Sequence, residues 1–174
     1  VHTENDKRID GATVSVNGGY LSSLTDTDGA YSFESQILKG STVGFEVNYE
    51  DFLTNGVTTY DLTIITKHIL GIEALDSPYK MIAADVNNSK TITTLDLIHI
   101  RRAILQQIQE FPGKDAWMFI PADQDIDLSN PWAYNEDLII DNIQADQAVD
   151  FIAIKVGDVS NSANFNSQLV KEED

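Results

Sequence analysis

Oxygen-bearing residues recur at alternate positions in the segment that begins at Asp85. Counted from that residue, side-chain oxygens occupy positions 1, 3 and 5, a backbone carbonyl is available at position 7, and a carboxylate stands at position 12. The residues at these positions are Asp85, Asn87, Ser89, Thr91 and Asp96. A hard cation such as calcium collects about six to eight oxygens at roughly 2.3–2.6 Å. The segment therefore predicts a site for calcium (Ca²⁺).

The same spacing is typical of an EF-hand loop, with two departures. Ser89 stands at position 5 in place of a carboxylate, and Lys90 stands at position 6, where a glycine normally makes the sharp turn. Only Asp85 and Asp96 bring formal charge, so we expect weak affinity, on the order of 10⁻⁴–10⁻³ M. The alternative is an Asx turn that leads into a helix, with Thr93 as the N-cap.

The helix that would follow this loop has a second copy upstream. Residues 56–70 align without a gap with residues 91–105, at an offset of 35 residues. The recurring residues are Thr58, Thr59, Asp61, Leu62, Ile65, Ile69 and Leu70, which return as Thr93, Thr94, Asp96, Leu97, Ile100, Ile104 and Leu105. Two loop-plus-helix units at this spacing resemble a type I dockerin module, over about residues 50–110.

The first unit departs from the dockerin pattern. Carrying the loop positions back from Asp61 places Glu50, Phe52 and Thr54 at positions 1, 3 and 5. Phenylalanine cannot coordinate a cation, so we expect one of the two dockerin calcium sites and not both. Asp61 is then predicted to cap its helix together with Thr58.

The resemblance also implies partner-binding residues on the helix after the calcium loop. In dockerins, positions at the start of this helix and near its middle contact a cohesin. Here those positions hold Thr94, Leu95, Arg101 and Arg102. The alternative is a solvated basic face, or ion pairing with the acidic surface of the chain itself.

Short alternating segments separated by turns fill the first 50 residues. The predicted strands cover residues 12–16, 20–25, 30–34 and 43–49, with turns at 17–19, 26–29 and 39–40. The string from Gly11 to Phe33, with its Asp-Thr-Asp-Gly turn, resembles the prealbumin-like, carboxypeptidase regulatory-like β-sandwich, a non-catalytic family. Four strands leave a sheet incomplete, and residues 116–120, 138–140 and 151–156 are also strand-like.

The expected fold class is α+β: a prealbumin-like antiparallel β-sandwich with an inserted or docked dockerin-like EF-hand helical pair. Residues 1–52 would supply the N-terminal strands, 53–110 the helical repeat with its calcium loop, and 111–174 further strands and a polar tail. A separate C-terminal β domain is the alternative. Helices are predicted over about 59–71, from Pro78 towards the loop, and over about 94–109.

Two other polar stretches leave a second cation site open. Asp123, Asp125 and Asp127 alternate, but an extended segment equally places three such acids on one solvated face. Asp158 and Ser160 belong to a stretch that resembles the opening of a dockerin loop without its helix. This stretch could pack near Asp61 and supply the oxygens that the first repeat lacks, or it could simply be a strand end that runs into a linker.

Charge and composition exclude several classes of partner. The chain has 11 basic and 28 acidic residues, a net charge of −17, which argues against nucleic acid and anionic membranes. No run approaches the roughly 18 apolar residues of a membrane span, so we expect no membrane insertion. Acidity and a weak calcium loop suit an extracellular or cell-surface location. The absence of a starting methionine suggests a fragment of a longer secreted protein.

These features favour a non-catalytic, calcium-binding protein-interaction or structural module of a larger secreted or cell-surface protein. The resemblance places such modules in secreted proteins of the Bacteroidetes, including accessories of polysaccharide catabolism, with a cohesin-like or neighbouring-domain partner. The alternative is a carbohydrate-binding sandwich that uses Trp117, Trp132, Tyr134 or Tyr20 as a stacking platform. An enzyme is not expected, because no nucleophile motif, phosphate loop or metal-hydrolase spacing accompanies the acids.

Overall fold

The computed structural model describes residues 1–17, 19–33 and 36–165. Three strands are followed by three helices and then by three further strands: β1 Thr13–Val16, β2 Leu21–Leu24, β3 Val43–Asn48, α1 Thr59–Ile69, α2 Pro78–Ala84, α3 Thr94–Ile104, β4 Trp117–Pro121, β5 Leu138–Ile140 and β6 Phe151–Lys155. This mixture of antiparallel sheet and helix agrees with the expected α+β class. Three predicted features lie partly or wholly outside the described residues: the turn at Gly18, the strand end at Glu34 and the polar tail from residue 166.

The chain forms two compact units, each of which is discontinuous in sequence. The sheet unit consists of Val1–Glu50 and Trp117–Ile154. The helical unit consists of Asp51–Ala116 and Lys155–Asp174. Each unit therefore combines two segments that are separated along the chain by part of the other unit.

In the sheet unit, four antiparallel strands follow the order β2-β1-β3-β5. Alternation buries Val14 and Val16 of β1, while their neighbours are more exposed, as expected for a sheet with one covered face. The fourth strand comes from beyond the helices, and it pairs Leu138 with Phe45 and Ile140 with Val43. A strand from the last third of the chain thus completes the sheet begun by the N-terminal strands.

The other two strands, β4 and β6, form a separate pair in which every residue is buried. Backbone hydrogen bonds flank the pair at both ends, from Ala122 N–H to Asp150 O at 2.9 Å and from Val156 N–H to Ala116 O at 3.1 Å. Their nearly continuous apolar sequences are typical of strands covered on both faces.

The strand predicted over residues 30–34 is wrong for the residues that the structure describes, 30–33. The Asp26 carboxylate accepts amide hydrogen bonds from Asp28 and Ala30, both at 2.9 Å, and closes the preceding turn. The Tyr31 hydroxyl donates to Val149 O at 2.9 Å, and the rings of Tyr31 and Phe33 meet edge to face at 5.9 Å. Side chains, rather than ladder hydrogen bonds, hold this segment.

In the helical unit, α1 and α3 pack against each other. Ile65 of α1 and Ile100 of α3, which are equivalent in the repeat, are both completely buried. Ile82 of α2 and Ala103 of α3 are buried as well. Within the described residues, no helix is both long enough and apolar enough to cross a membrane.

Both long helices end in the same hydrogen-bonded motif. After α1, Gly71 adopts a φ of 66° and donates to His68 O at 3.0 Å, while the next amide donates to Lys67 O at 2.9 Å. After α3, Gln106 adopts a φ of 54° and donates to Ala103 O at 2.8 Å, while the next amide donates to Arg102 O at 2.8 Å. This is the Schellman pattern. The predicted end of α3 near residue 109 is therefore wrong, because a left-handed glutamine ends the helix earlier.

The two helix ends give a paired prediction about backbone conformation. Gly71→Ala should lower the free energy of unfolding by about 1 kcal/mol, because an L residue is disfavoured at positive φ. A side chain there meets no atom within 4 Å, so a steric clash does not contribute. Gln106→Gly should raise the free energy of unfolding by up to about 1 kcal/mol, since the relief of strain exceeds the added entropy of the unfolded chain. Urea unfolding measures both changes. A Gly71→Ala variant that is more stable than the parent, or a Gln106→Gly variant that is less stable, would contradict the assigned left-handed conformations.

The repeat gives a second prediction, about packing. Ile65→Ala and Ile100→Ala should each lower the free energy of unfolding by about 2–5 kcal/mol, because each leaves a cavity in the helical unit. The matched control is Ile98→Ala, whose side chain in α3 is 53% exposed. It should change the free energy by less than about 0.5 kcal/mol. Equal losses in Ile100→Ala and Ile98→Ala would contradict this packing.

Candidate metal centre

The predicted calcium loop begins where α2 ends. Ser77 caps the start of that helix by accepting an amide hydrogen bond at 3.1 Å, and Pro78 lies in its first turn. Asp85 forms the C-terminal cap and is completely buried. The loop is covered so closely that a side chain added at Gly113 would collide with the backbone of Asn87.

The Asp85 carboxylate organises the first half of the loop. Its Oδ1 accepts from the Ser89 amide and its Oδ2 from the Lys90 amide, both at 2.9 Å. The Asn87 Oδ1 also accepts from the Ser89 amide, at 3.0 Å, and the Ser89 hydroxyl donates to Thr91 O at 3.1 Å. Four of the five predicted ligand residues therefore belong to one hydrogen-bonded loop.

The turn that usually needs a glycine is made by other residues. Lys90, at position 6, adopts a φ of 59°, and Asn88 adopts a φ of 55°. Asparagine tolerates this left-handed region better than most residues do. The lysine at position 6 therefore does not prevent the turn.

The two carboxylate oxygens of Asp96, the fifth predicted ligand, differ in their hydrogen bonding. Its Oδ2 accepts from the Thr93 amide at 2.9 Å and from the Thr93 hydroxyl at 3.2 Å, which completes a capping box at the start of α3. Its Oδ1 has no hydrogen-bond partner, although the residue is completely buried. Among the described residues it is the one buried side-chain oxygen or nitrogen in this state. Such an atom is rare because burying an unsatisfied polar group is costly.

The segment after β6 forms a second loop of the same kind. The Oδ1 of Asp158 accepts from the amides of Ser160 and Ser162, at 3.1 and 3.2 Å, and its Oδ2 accepts from the amide of Ala163 at 2.7 Å. Burial first, and the negative charge of Asp61 in addition, raise the pKa of Asp158.

This second loop lies against the start of α1. The Ser160 amide donates to Asp61 Oδ1 at 2.9 Å, and the Ser162 hydroxyl donates to Gly56 O at 2.9 Å. Asp61 Oδ2 accepts from the Thr58 amide at 2.8 Å, which confirms the predicted cap of α1. The Asp158 segment therefore packs near Asp61, which was one of the two interpretations that its sequence left open.

A buried ion pair lies close to the same region. Lys155 Nζ approaches Asp51 Oδ2 at 3.5 Å and donates to Phe52 O at 2.7 Å, and both charged side chains are only 3% exposed. Burial lowers the pKa of Lys155 to about 8, against the opposing effect of the Asp51 charge. Phe52 stands at position 3 of the segment before α1, where the dockerin pattern would have a calcium ligand. Its side chain is exposed to solvent.

Both loops present oxygen donors, which are the ligands that a hard cation takes. Within the described residues, no group of three or more histidine, cysteine or acidic side chains could hold a metal ion. Each loop instead offers two carboxylates together with hydroxyl, amide or backbone carbonyl oxygens. Such oxygen sets suit calcium, whereas zinc prefers nitrogen and sulfur.

The other predicted site residues are spread over exposed surfaces. Asp123, Asp125 and Asp127 are all exposed, and the Asp127 carboxylate accepts from the Ser129 amide at 2.7 Å. This arrangement is the solvated acidic face that was the alternative to a cation site.

The four residues assigned to partner binding are exposed on α3. They are Thr94, Leu95, Arg101 and Arg102. Ile98, also exposed, lies between them, and the helical period places Thr94, Ile98, Arg101 and Arg102 on one face. This partly apolar, basic face contrasts with the net charge of −17 of the chain.

The aromatic residues proposed as a stacking platform differ in exposure. Trp117 is buried, and its ring meets Tyr49 edge to face at 5.6 Å. Trp132 and Tyr134 are half-buried, and Tyr20 is exposed. Trp117 is therefore a core residue and not part of a binding surface.

Comparison of the chain with protein-family models, curated proteins and solved structures finds no match. The function is therefore inferred from the chemistry and geometry of the two loops and of the α3 face.

Proposed function

We propose that this chain is a calcium-stabilised, non-catalytic interaction module of a larger secreted or cell-surface protein. In this proposal the helical unit is a dockerin-like pair of EF-hand units, and the sheet unit is a prealbumin-like β-sandwich. Calcium is bound by the side chains of Asp85, Asn87, Ser89 and Asp96 and by the backbone carbonyl of Thr91.

One observation carries the proposal: the buried Asp96 Oδ1 without a hydrogen-bond partner. Leaving a buried polar group unsatisfied costs about 1–3 kcal/mol, and more for a charged group. The other oxygen of this carboxylate already caps α3. A cation shared with the Asp85 loop would satisfy the remaining oxygen and neutralise the charge, and its ligands would be those that the sequence spacing predicts.

The hydrogen bonds of the loop are compatible with a bound cation. Asp85 Oδ2 accepts one amide hydrogen bond within the loop and has a further lone pair for a metal, while Oδ1 accepts from the Ser89 amide at 2.9 Å and, at 3.4 Å, from the Ser89 hydroxyl, which could turn away. The ligand set has two formal charges and no nitrogen or sulfur, which favours calcium at extracellular concentrations. Magnesium is a poorer fit, because it demands a near-ideal octahedron and keeps several of its waters.

The consequence of binding is a fixed α3 surface. The ion would join the end of α2 at Asp85 to the first turn of α3 at Asp96. It would thereby hold the exposed face that carries Leu95, Arg101 and Arg102. Both carboxylates are completely buried, so substrate has no direct access to them, and a positioning role for the ion is favoured over catalysis.

The proposal is tested by thermal unfolding of the chelator-treated chain with and without calcium, at equal ionic strength. A ligand at a hundredfold excess over its dissociation constant stabilises by about 2.7 kcal/mol. At about 2–4 °C per kcal/mol for a chain of this size, Tm should rise by roughly 5–10 °C. Asp85→Asn should lose the part of this response that the Asp85 loop provides, and its rise in Tm should be clearly smaller than that of the parent chain.

The control for the thermal experiment is Asp123→Asn, which removes an acid from an exposed position of the sheet unit. It should respond to calcium as the parent chain does. A parent Tm that calcium leaves unchanged, or a full response in Asp85→Asn, would show that this loop is not the calcium site.

The partner-binding face gives a separate prediction. The double variant Arg101→Ala/Arg102→Ala should keep the Tm and the calcium response of the parent, because both side chains are exposed. A protein partner is first captured on the immobilised parent chain and is then tested on the variant. The variant should not bind it, because the two basic side chains at the centre of the α3 face are removed. The matched control is Lys7→Ala/Lys39→Ala, which removes two exposed positive charges from the sheet unit. Undiminished capture by the arginine variant would remove this face as the binding surface.

A further inference from the structure

We infer that the Asp158 loop and the start of α1 form a second calcium site, assembled from two distant segments of the chain. This split site consists of the side chains of Asp158, Ser160, Ser162 and Asp61 and the backbone carbonyl of Gly56. The inference extends the calcium function proposed for the Asp85 loop and rests on it, since the two sites share one geometry.

The first halves of the two sites correspond residue by residue. The sequence Asp-Val-Asn-Asn-Ser at 85–89 returns as Asp-Val-Ser-Asn-Ser at 158–162. In both segments the valine is buried, and the asparagine is left-handed, with φ of 55° at Asn88 and 56° at Asn161. In both, the aspartate accepts from the amides four and five residues further on.

The second halves also correspond, although the second half of the split site is far from its first half in sequence. Ser89 donates its hydroxyl to Thr91 O at 3.1 Å, and Ser162 donates its hydroxyl to Gly56 O at 2.9 Å. Gly56 and Thr91 are equivalent in the 35-residue repeat. The split site therefore places a carbonyl where position 7 of an EF-hand loop requires one, although the serine and the carbonyl come from residues 106 positions apart.

At the twelfth position of each site stands a helix-capping aspartate. Asp61 and Asp96 both use Oδ2 in a capping box. They differ at Oδ1, which accepts from the Ser160 amide in the split site and is unpartnered in the Asp85 loop. Ser160, in the first half of the split site, thus already contacts Asp61 Oδ1, the oxygen that would bind the cation.

Charge gives an independent reason to expect a cation at the split site. A single amide, that of Ser160, donates both to Asp61 Oδ1 at 2.9 Å and to Asp158 Oδ1 at 3.1 Å. Both carboxylates are at most 2% exposed. Two like charges this close and this deeply buried repel each other strongly unless a cation compensates them or one carboxylate holds a proton.

The buried ammonium near these carboxylates does not provide full compensation. Lys155 approaches Asp51 at 3.5 Å and donates to Phe52 O at 2.7 Å. The charge of Lys155 therefore faces that of Asp158 as well as that of Asp51. A divalent cation between Asp61 and Asp158 would balance the charge of these two carboxylates.

The split site should bind calcium more weakly than the Asp85 loop. Its third position holds Ser160, whose hydroxyl donates to Asp158 Oδ1 at 2.9 Å and would have to turn towards the ion. The Asp85 loop has Asn87 at the same position, and its carbonyl oxygen already points back into the loop, where it accepts from Ser89.

The test is a calcium titration of the chelator-treated full chain, followed by two-dimensional amide NMR spectra. The amides of Ser160, Ser162 and Ala163 report on the split site, and those of Ser89 and Lys90 report on the Asp85 loop. We expect both groups to shift and saturate below about 10 mM calcium, given the weak end of the EF-hand range. Sodium chloride of equal ionic strength is the control for screening.

Variants assign each group of shifts to its own site. Asp158→Asn should abolish the shifts of Ser160, Ser162 and Ala163 and leave those of Ser89 and Lys90, and Asp85→Asn should do the reverse. If Asp158→Asn does not fold, Ser162→Ala serves instead, with Ser89→Ala as its match. Each serine variant keeps the amide hydrogen bond and should raise the calcium dissociation constant of its own site by about tenfold or more.

The outcomes separate this inference from the proposed function. If only Ser89 and Lys90 respond, the split site is wrong and the calcium loop at Asp85 stands. If only Ser160, Ser162 and Ala163 respond, the split site stands and the proposed site at Asp85 is wrong. If neither group responds, both are wrong.

Discussion

The helical unit depends on one interaction that occurs twice: an aspartate caps the start of a helix with one carboxylate oxygen and leaves the other oxygen to a different partner. In Asp61 and Asp96, Oδ2 closes a capping box at the start of a helix. The cap requires the carboxylate to lie in the first turn, and both carboxylates are completely buried there. The second oxygen is then removed from water and needs another partner. In one copy a loop amide meets it, and in the other nothing within the described protein does. In Asp96, helix capping together with burial thus leaves one oxygen without a partner, and the proposed cation would supply it.

The two copies differ in how the chain supplies the rest of each site. For α3 the loop immediately precedes the helix, whereas for α1 the equivalent oxygens arrive from residues 158–162. Cation binding depends on where the oxygens lie in space and not on their order along the chain. A contiguous loop and a pair of distant segments can therefore both form a site. The Gly157 amide donates to Ala83 O at 2.8 Å, which fixes the start of the distant loop beside the end of α2. If residues 158–162 supply the oxygens for α1, residues 50–54 need not follow the loop pattern, and Phe52 at the third position is indeed exposed.

Sequence reasoning succeeds here where structure is local and fails where it is not. Both capping boxes, the proline-started α2 and the glycine end of α1 follow from short-range rules, and the structure contains them. The end of α3 was misplaced because Gln106 takes the left-handed position that sequence rules reserve for glycine. Residues 30–33 have the alternation of a strand, but the Tyr31 hydroxyl and the ring of Phe33 are held by distant residues that alternation cannot reveal. A signal for the second loop was present in the recurrence of Asp-Val at 85 and 158, each followed by Asn-Ser after one residue, although its pairing with α1 required the fold.

An ion that joins residues 56–61 to residues 158–162 would act as a cross-link in a chain that has no cysteine. A permanent cross-link across a loop of about 100 residues restricts the unfolded chain by roughly 4.7 kcal/mol in the simplest entropy treatment. A reversible ion contributes according to its free concentration relative to its dissociation constant, so its effect grows by about 1.4 kcal/mol for each tenfold excess. Below the dissociation constant the ion contributes little, and the repulsion between Asp61 and Asp158 then opposes folding. If the proposed ion binds weakly, the stability of the helical unit would depend on the calcium concentration of its surroundings, a dependence that a disulfide in the same place would not provide.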